Sequence, residues 1–512
     1  MSRKPHISAT SQSVPSGFAR PANLIGSAWL PAAEGRTFES RSPADGRKVV
    51  GVFPRSGREE AEAAVAAAKG AYDAWRLTPP PLRGAVLRQC AAVLRERKEA
   101  LSRLMSLEMG KPLVESRGDV QEAIDCAEYY SGEGRRLFGD TSTSELPSKF
   151  AMAVRVPVGV CGMITPWNFP VAIPAWKIFP AILCGNTVVF KPAEDAPACG
   201  AAFAAALRDA GVPPGVVNLV QGFGEEVGAA LVHHPDVRLI SFTGSCETGS
   251  LIAGACGQNL KRCSLEMGGK NAQIVMDDAD LDLALEGALW GAFGTAGQRC
   301  TATSRLILHR KIKRTFVKRL VAAARKLRLG DPLNERHQIG PLVNEAQRER
   351  VERYVAIGQE EGAKLLCGGR RPAGAAFKHG WYYEPTIFDG VTPDMRIAQE
   401  EIFGPVTAAI EVKSFEQAVE VLNGTAYGLS SSIYTRDVNR AFRAIRDLEA
   451  GITYINGPTI GAEVHMPFGG VKNTGNGHRE AGQAVLDVFS EWKSVYVDYS
   501  GKLQKAQIDV QA

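Results

Sequence analysis

The sequence predicts an α/β protein of two doubly wound domains with a small β element added. Three observations predict it. At 512 residues the chain exceeds the size at which one hydrophobic core stops growing, so two or three domains are expected. From Gly159 onward, short β-rich runs alternate with helical ones, and a second such region begins near Asn271. Strands separated by helices of ~10 to 15 residues build βαβ units, hence parallel sheets covered on both faces.

Residues 57–138 come first and read as helices. GREEAEAAVAAAKGAYDAW and LRGAVLRQCAAVLRERKEALSRLM carry apolar residues at helical spacing with charges between, and SRGDVQEAIDCAEYYSGEGRRLFG continues the pattern. SKFAMAVRVPVG then alternates like a strand or hairpin. In the first α/β region GVCGMIT leads to PVAIPAWKIFPAIL, and NTVVFKP to ACGAAFAAALRDAG. GVVNLVQG leads to EEVGAALVHH, and RLISFTG to ETGSLIAGAC. In the second region AQIVM, LDLALEGALWGAFGTAG, SRLILH and IKRTFVKRLVAAARKL run on through SSIYTRD and GITYING. The late stretch DVFSEWKSVYVDYS alternates like an exposed strand. Unpaired so late in a chain, it needs a partner, and a second subunit is one candidate.

Composition excludes several function classes. With 45% hydrophobic and 22% charged residues the chain is globular. Sixty basic against 55 acidic residues leave +5, which points to neither nucleic acid nor membrane as partner. The most apolar stretch, residues 156–191, is broken by Asn168, Lys177, Asn186 and several prolines, so it cannot be one membrane span. None of the ten cysteines is spaced Cys-x-x-Cys, and the eight histidines form no metal constellation. Scattered free thiols suit a reducing, cytoplasmic setting. Residues 1–20 are basic and Ser-rich without an apolar core, and read as a disordered tail rather than a secretory signal.

Six short stretches carry candidate chemistry. Gly222-Phe-Gly224-Glu-Glu-Val-Gly228 follows a strand and opens a helix, where glycines and free N–H groups suit a phosphate. Val227 stands where the usual fingerprint has its third glycine, and two acids at the helix start would repel a pyrophosphate, so a plain turn reads equally well. The next junction, Phe242-Thr-Gly244-Ser245-Cys-Glu-Thr-Gly249, is a better cradle. Upstream, Lys191 and Glu194 stand just past another strand, either to hold an adenosine ribose or as a solvated pair. Glu266 in LEMGGK is a carboxylate before two glycines, and Asn168 in TPWNFP is an amide in a rigid, proline-bracketed loop. Cys300 in GTAGQRCTATSR is a thiol among glycines and hydroxyls. Alone, each is as readily structural.

Together, and in this order, these stretches resemble the aldehyde dehydrogenase superfamily. The resemblance covers about residues 24–497 and rests on TPWNFP, FKPAEDAP, FTGSCETG, LEMGGKN, GQRC, EEIFGPV and PFGGVKNTG. It implies Cys300 as nucleophile, Asn168 with the Cys300 backbone N–H as oxyanion donors, and Glu266 as the base that hydrolyses a thioester. It implies NAD as cofactor, with NADP as a second candidate. The implied contacts are Ile164, Trp167, Lys191, Glu194, Gly224, Gly244, Ser245, Gly249, Glu401 and Phe403. Residues 21–138 and 157–268 would form the dinucleotide-binding domain and 269–470 the catalytic domain. Residues 139–156 and 484–500 would form an oligomerisation element giving homodimers or homotetramers.

Within the superfamily, the coenzyme-A-acylating branch typically lacks the carboxylate present here as Glu266, so release of a free acid is expected. A catalytically silent homologue would not need Cys300, Glu266 and Asn168 together. The substrate stays open. Trp176 stands where some succinate-semialdehyde relatives carry arginine, while the GQRCTATSR flank is similar to members acting on oxo-acid semialdehydes.

Overall fold

The structure is a computed structural model and describes residues 21–510; the tail expected over residues 1–20 lies outside them. The chain begins with β1 (Asn23–Ile25), β2 (Ala28–Leu30) and a hairpin of β3 (Thr37–Arg41) and β4 (Val49–Pro54). Helices α1 (Arg58–Leu77), α2 (Pro80–Glu96), α3 (Lys98–Met109) and α4 (Leu113–Glu133) follow, in the span the sequence marks as helical. The Glu60 carboxylate accepts the Gly57 N–H at 2.7 Å and fixes the start of α1. Gly110, at φ 81, takes the left-handed cap that ends α3.

Strands β5 (Asp140–Thr143) and β6 (Lys149–Pro157) come next. A wound region then runs through β7 (Val160–Ile164), α5 (Ala172–Cys184), β8 (Thr187–Lys191), α6 (Pro197–Asp209) and β9 (Val217–Leu219). It continues with α7 (Ala229–His233), β10 (Val237–Thr243), α8 (Cys246–Gln258) and β11 (Arg262–Glu266). The sheet order is β11-β10-β7-β8-β9-β1-β2, parallel from β11 to β9 with β1 and β2 antiparallel at one edge. Side-chain alternation shows why these strands read as continuous apolar runs. Val188 and Phe190 join the core formed with α2 to α6, whereas Val189 between them joins the core under α1, α7 and α8.

One strand is shorter than expected. GVVNLVQG shrinks to the three residues of β9, while EEVGAALVHH is helical, a π-helical turn over Gly224–Gly228 running straight into α7. Pro235 sets where that helix stops: the residue before a proline avoids the helical region, and His234 is extended at ψ 125.

The second region comprises β12 (Ala272–Val275), α9 (Leu281–Phe293), β13 (Arg305–His309), α10 (Arg310–Ala324), α11 (Glu345–Glu360), β14 (Lys364–Cys367) and β15 (Thr386–Asp389). After these come α12 (Arg396–Gln399), β16 (Val406–Val412), α13 (Phe415–Asn423), β17 (Tyr427–Gly428), β18 (Ser430–Tyr434), α14 (Val438–Asp447) and β19 (Ile452–Ile455). Its sheet, β14-β15-β16-β13-β12-β18-β19, is parallel except for β14 and encloses a separate core. The fold is therefore two wound α/β layers, as expected.

Strand β20 (Val471–Lys472) pairs with β17. The last strand, β21 (Ser490–Asp498), corrects one expectation: it is not unpaired. It lies antiparallel to β6 along its whole length, from Ser490 opposite Pro157 to Asp498 opposite Lys149. What stays open is its other edge, since the order is β21-β6-β5. Trp492, Tyr496 and Val497 are exposed on it. Among the described residues no helix is long and apolar enough to cross a membrane, and no group of three or more His, Cys, Asp or Glu could hold a metal.

Candidate active site

The carboxyl ends of the first sheet's strands set the frame. Ladder register places Ile164 opposite both Lys191 and Phe242, and Thr243 opposite Glu266 one residue further along that edge. Ligands of wound sheets bind beyond such an edge. Asn168 comes from the loop between β7 and α5. It is buried, and its Nδ2 donates to the Gln298 carbonyl at 3.2 Å, which ties this loop to the cysteine loop.

Cys300 follows α9 through a strained turn. Thr295 and Ala296 sit in the left-handed region at φ 51 and 53. Gly297, at φ 70, has the Gly404 carbonyl 2.1 Å from where a Cβ would stand, so only glycine fits there. The strain is held by partners. Glu115 accepts the Thr295 N–H at 3.1 Å and its hydroxyl at 2.6 Å, and pairs with Arg299. Asn271 Nδ2 donates to the Cys300 carbonyl at 2.7 Å. The thiol is thus fixed in place. Burial, then the nearby Glu401 and Glu266 carboxylates, push it up to about 12.

Glu266 ends β11, almost fully buried, and neither carboxylate oxygen has a hydrogen-bond partner. Burial and the charge of Glu480 push its carboxyl well above the usual range; Lys177 and Arg479 offset part of this. Lys177 and Glu480 form a buried ion pair beneath it, with Lys177 also donating to Ser241 Oγ at 3.0 Å. Unpartnered buried carboxylates are costly unless neutral or awaiting a partner.

Cys300 stands where two cavities meet. One, of about 110 Å³, is lined by Glu266, Cys300, Phe169, Trp176, Phe468, Arg299 and Glu122 among others. The other, of about 220 Å³, gathers Trp167, Asn168, Gly244, Ser245, Cys300, Glu401 and Phe403. Two protein-lined spaces sharing one thiol suit two reactants brought to one sulfur.

The second cavity fits a dinucleotide. Ser245 caps α8, its Oγ accepting the Thr248 N–H at 3.2 Å, so the helix N-terminus faces the cavity. A Cβ on Gly244 would come within 2.4 Å of the Phe242 ring, and one on Gly249 within 2.3 Å of Met267 Sδ. At the end of β8, buried Lys191 bonds Glu194 at 2.8 Å. Glu401 accepts the Gly269 N–H at 2.9 Å, and Phe403, at φ 60, meets Trp167 edge-on with ring centroids 5.5 Å apart. Ile164, Lys191, Glu194, Gly224 and Gly249 stand outside the cavity wall itself. At Gly224 a Cβ would meet no protein atom. Of the two acids of that turn, Glu226 pairs with Arg55 at 2.7 Å.

Sequence reading missed Gln347 and Arg350 of α11, which line the same cavity. Gln347 donates to the Phe403 carbonyl at 2.7 Å and Arg350 to the Glu401 carbonyl at 2.6 Å, so they hold that loop in place. NEAQRERVERYVAI looks like any solvated helix, and no sequence signal marks them. Lys177 did carry a signal, as a charge inside an apolar run.

The family model described as Aldehyde dehydrogenase family matches residues 29–495. The alpha-ketoglutaric semialdehyde dehydrogenase of Bacillus subtilis (strain 168) is 41% identical over 475 residues, 93% of this chain and 97% of that protein. The betaine aldehyde dehydrogenase of Brucella anthropi is 41% identical over 477 residues, with the same coverage of 93% and 97%. A betaine aldehyde dehydrogenase of Staphylococcus aureus, solved in complex with NAD+, superposes with a TM-score of 0.93 at 33% identity, over 95% of this chain and 96% of that one.

Proposed function

The chain belongs to the aldehyde dehydrogenase family and oxidises an aldehyde with NAD, and from that premise we propose which residues do the work. The observation that carries the proposal is Cys300 at the junction of the two cavities, with Glu266 on the wall of one and Asn168 on the other. Residues 21–138 and 157–268 then serve the cofactor and 269–470 the chemistry.

Cys300 gives up its proton to solvent water, and its sulfur attacks the aldehyde carbon to form a thiohemiacetal. The Asn168 amide and the Cys300 backbone N–H hold the resulting oxyanion. Bound NAD supplies the hydride acceptor. Lys191 and Glu194 hold its adenosine ribose, Gly244, Ser245 and Gly249 its pyrophosphate, and Glu401 its second ribose. Ile164, Trp167, Gly224 and Phe403 complete the cofactor contacts. What remains on Cys300 is a thioester. Glu266 takes a proton from water as the oxygen adds to the thioester carbon, the C–S bond breaks, and a free acid leaves.

The substrate reading is an aldehyde with a distal carboxylate. Arg299 lines the substrate cavity, and burial pushes the Glu122 carboxyl on the same wall up to about 8. Below that pH Glu122 is neutral and can donate to an anion. The aromatic wall of Phe169, Trp176 and Phe468 favours a second reading, a quaternary ammonium aldehyde. Comparing kcat/KM for a 2-oxo semialdehyde and for betaine aldehyde from pH 6.5 to 9 decides between them. Ionisation of Glu122 above about 8 should raise KM for the anion, and Glu122→Gln should flatten that rise. Higher kcat/KM for betaine aldehyde at pH 7 contradicts the reading.

Two further outcomes follow. Glu194 accepts free ribose hydroxyls and repels a 2′-phosphate, so kcat/KM should be higher with NAD than with NADP; equal or better use of NADP contradicts this. The open edge of β21 makes the chain a homodimer or homotetramer. Sedimentation should show no stable monomer at micromolar concentration. The ten free thiols support a cytoplasmic setting.

A further inference from the structure

Helix α8 and strand β11 are joined by a three-residue return, residues 259–261, in which Leu260 is held at φ 51. They pack face to face in opposite directions. Gly249 lies against Met267, and Ile252 and Leu265 share one apolar cluster. Positions 249, 252 and 256 form one helical stripe, and 267, 265 and 263 one strand face. The next contact in that series is therefore Cys256 against Cys263. The two cysteines pack in the same cluster, Cys256 fully buried and Cys263 half-buried against it. Exposed Asn476 reaches the Cys263 sulfur at 3.5 Å, so a small molecule can approach from that side.

We propose that Cys256 and Cys263 are an oxidative modification site, closed to a disulfide by hydrogen peroxide. The neighbouring Cys256 thiol holds the Cys263 thiol below its ordinary range, and Cys256 is correspondingly raised. Cys263 is thus the attacking sulfur. Its thiolate takes one oxygen from peroxide, and the departing hydroxide becomes water. The Cys256 sulfur then displaces the sulfenic hydroxyl as a second water. Two thiols lose two electrons and two protons, one peroxide is reduced, and one S–S bond forms. Disulfide geometry demands sulfurs ~2 Å apart, closer than two thiols in van der Waals contact. The bond therefore draws the end of α8 onto β11. The other end of α8 carries Ser245, and β11 ends three residues on at Glu266. Resting on the roles proposed above for those two residues, oxidation slows turnover.

The test uses the full chain, with and without hydrogen peroxide, alkylated and cut with trypsin. Cleavage at Lys261 and Arg262 separates the two cysteines, so the disulfide appears as peptide 239–261 linked to peptide 263–270. Fragment ions should place the link on Cys256 rather than Cys246, and dithiothreitol should release it. Cys256→Ala and Cys263→Ala should each abolish it. Peroxide-treated wild type should lose most of its turnover and regain it with dithiothreitol, while Cys263→Ala keeps the part of that activity not lost through Cys300. No link, a link through Cys246, or Cys263 carried only to sulfinic acid overturns the site. A link with unchanged turnover overturns its effect, and neither mass result depends on the proposed catalytic roles.

Discussion

Cys300→Ala should form no NADH from any aldehyde, at any pH, while remaining folded and binding NAD. Without the sulfur no thiohemiacetal forms, and the aldehyde carbon is never made a hydride donor. The side chain is small and sits in a turn held by Glu115, Asn271 and Asn168 through groups other than the thiol. Its removal should therefore leave the loop intact, and thermal unfolding with and without NAD checks this. Absorbance at 340 nm that still rises in the variant would place the nucleophile elsewhere.

Glu266→Gln should fail differently. If base catalysis contributes its usual ~10² to 10⁴-fold, steady turnover falls by that factor. One NADH per site still appears as a rapid burst, because attack by Cys300 and hydride transfer precede hydrolysis. The pH dependence has a definite sign. Only ionised Glu266 accepts a proton, and burial with the charge of Glu480 moves that ionisation well above the usual carboxylate range. Hydrolysis should therefore rise with pH through a limb displaced upward from where an exposed glutamate titrates. In Glu266→Gln the limb should vanish. A structural carboxylate would instead give lost stability and no burst.

How legible was this in the sequence? The helices of residues 57–138 and the wound regions were, because apolar spacing is local and each pattern repeats. Asn168, Glu266 and Cys300 were legible only jointly, since each has an ordinary structural reading by itself. Contacts between distant segments were not legible. The strand β21 announced itself by alternation, but nothing in its residues names β6 as its partner. Lys177 was visible as a charge in an apolar run, yet its pairing with Glu480, over three hundred residues away in sequence, required the fold. Strands β1 to β4 were missed because runs of three to six residues carry too little periodicity. The Gly222 turn looked like a repelled phosphate loop until Arg55 was found beside Glu226.

The most direct measurement is the intact mass of Glu266→Gln, quenched within the burst after mixing with NAD and aldehyde. The roles given to Cys300 and Glu266 predict an acyl adduct on one residue per chain, mapped to Cys300 and released by hydroxylamine. A folded variant that binds NAD and keeps a reactive Cys300, yet shows neither burst nor adduct, would contradict them.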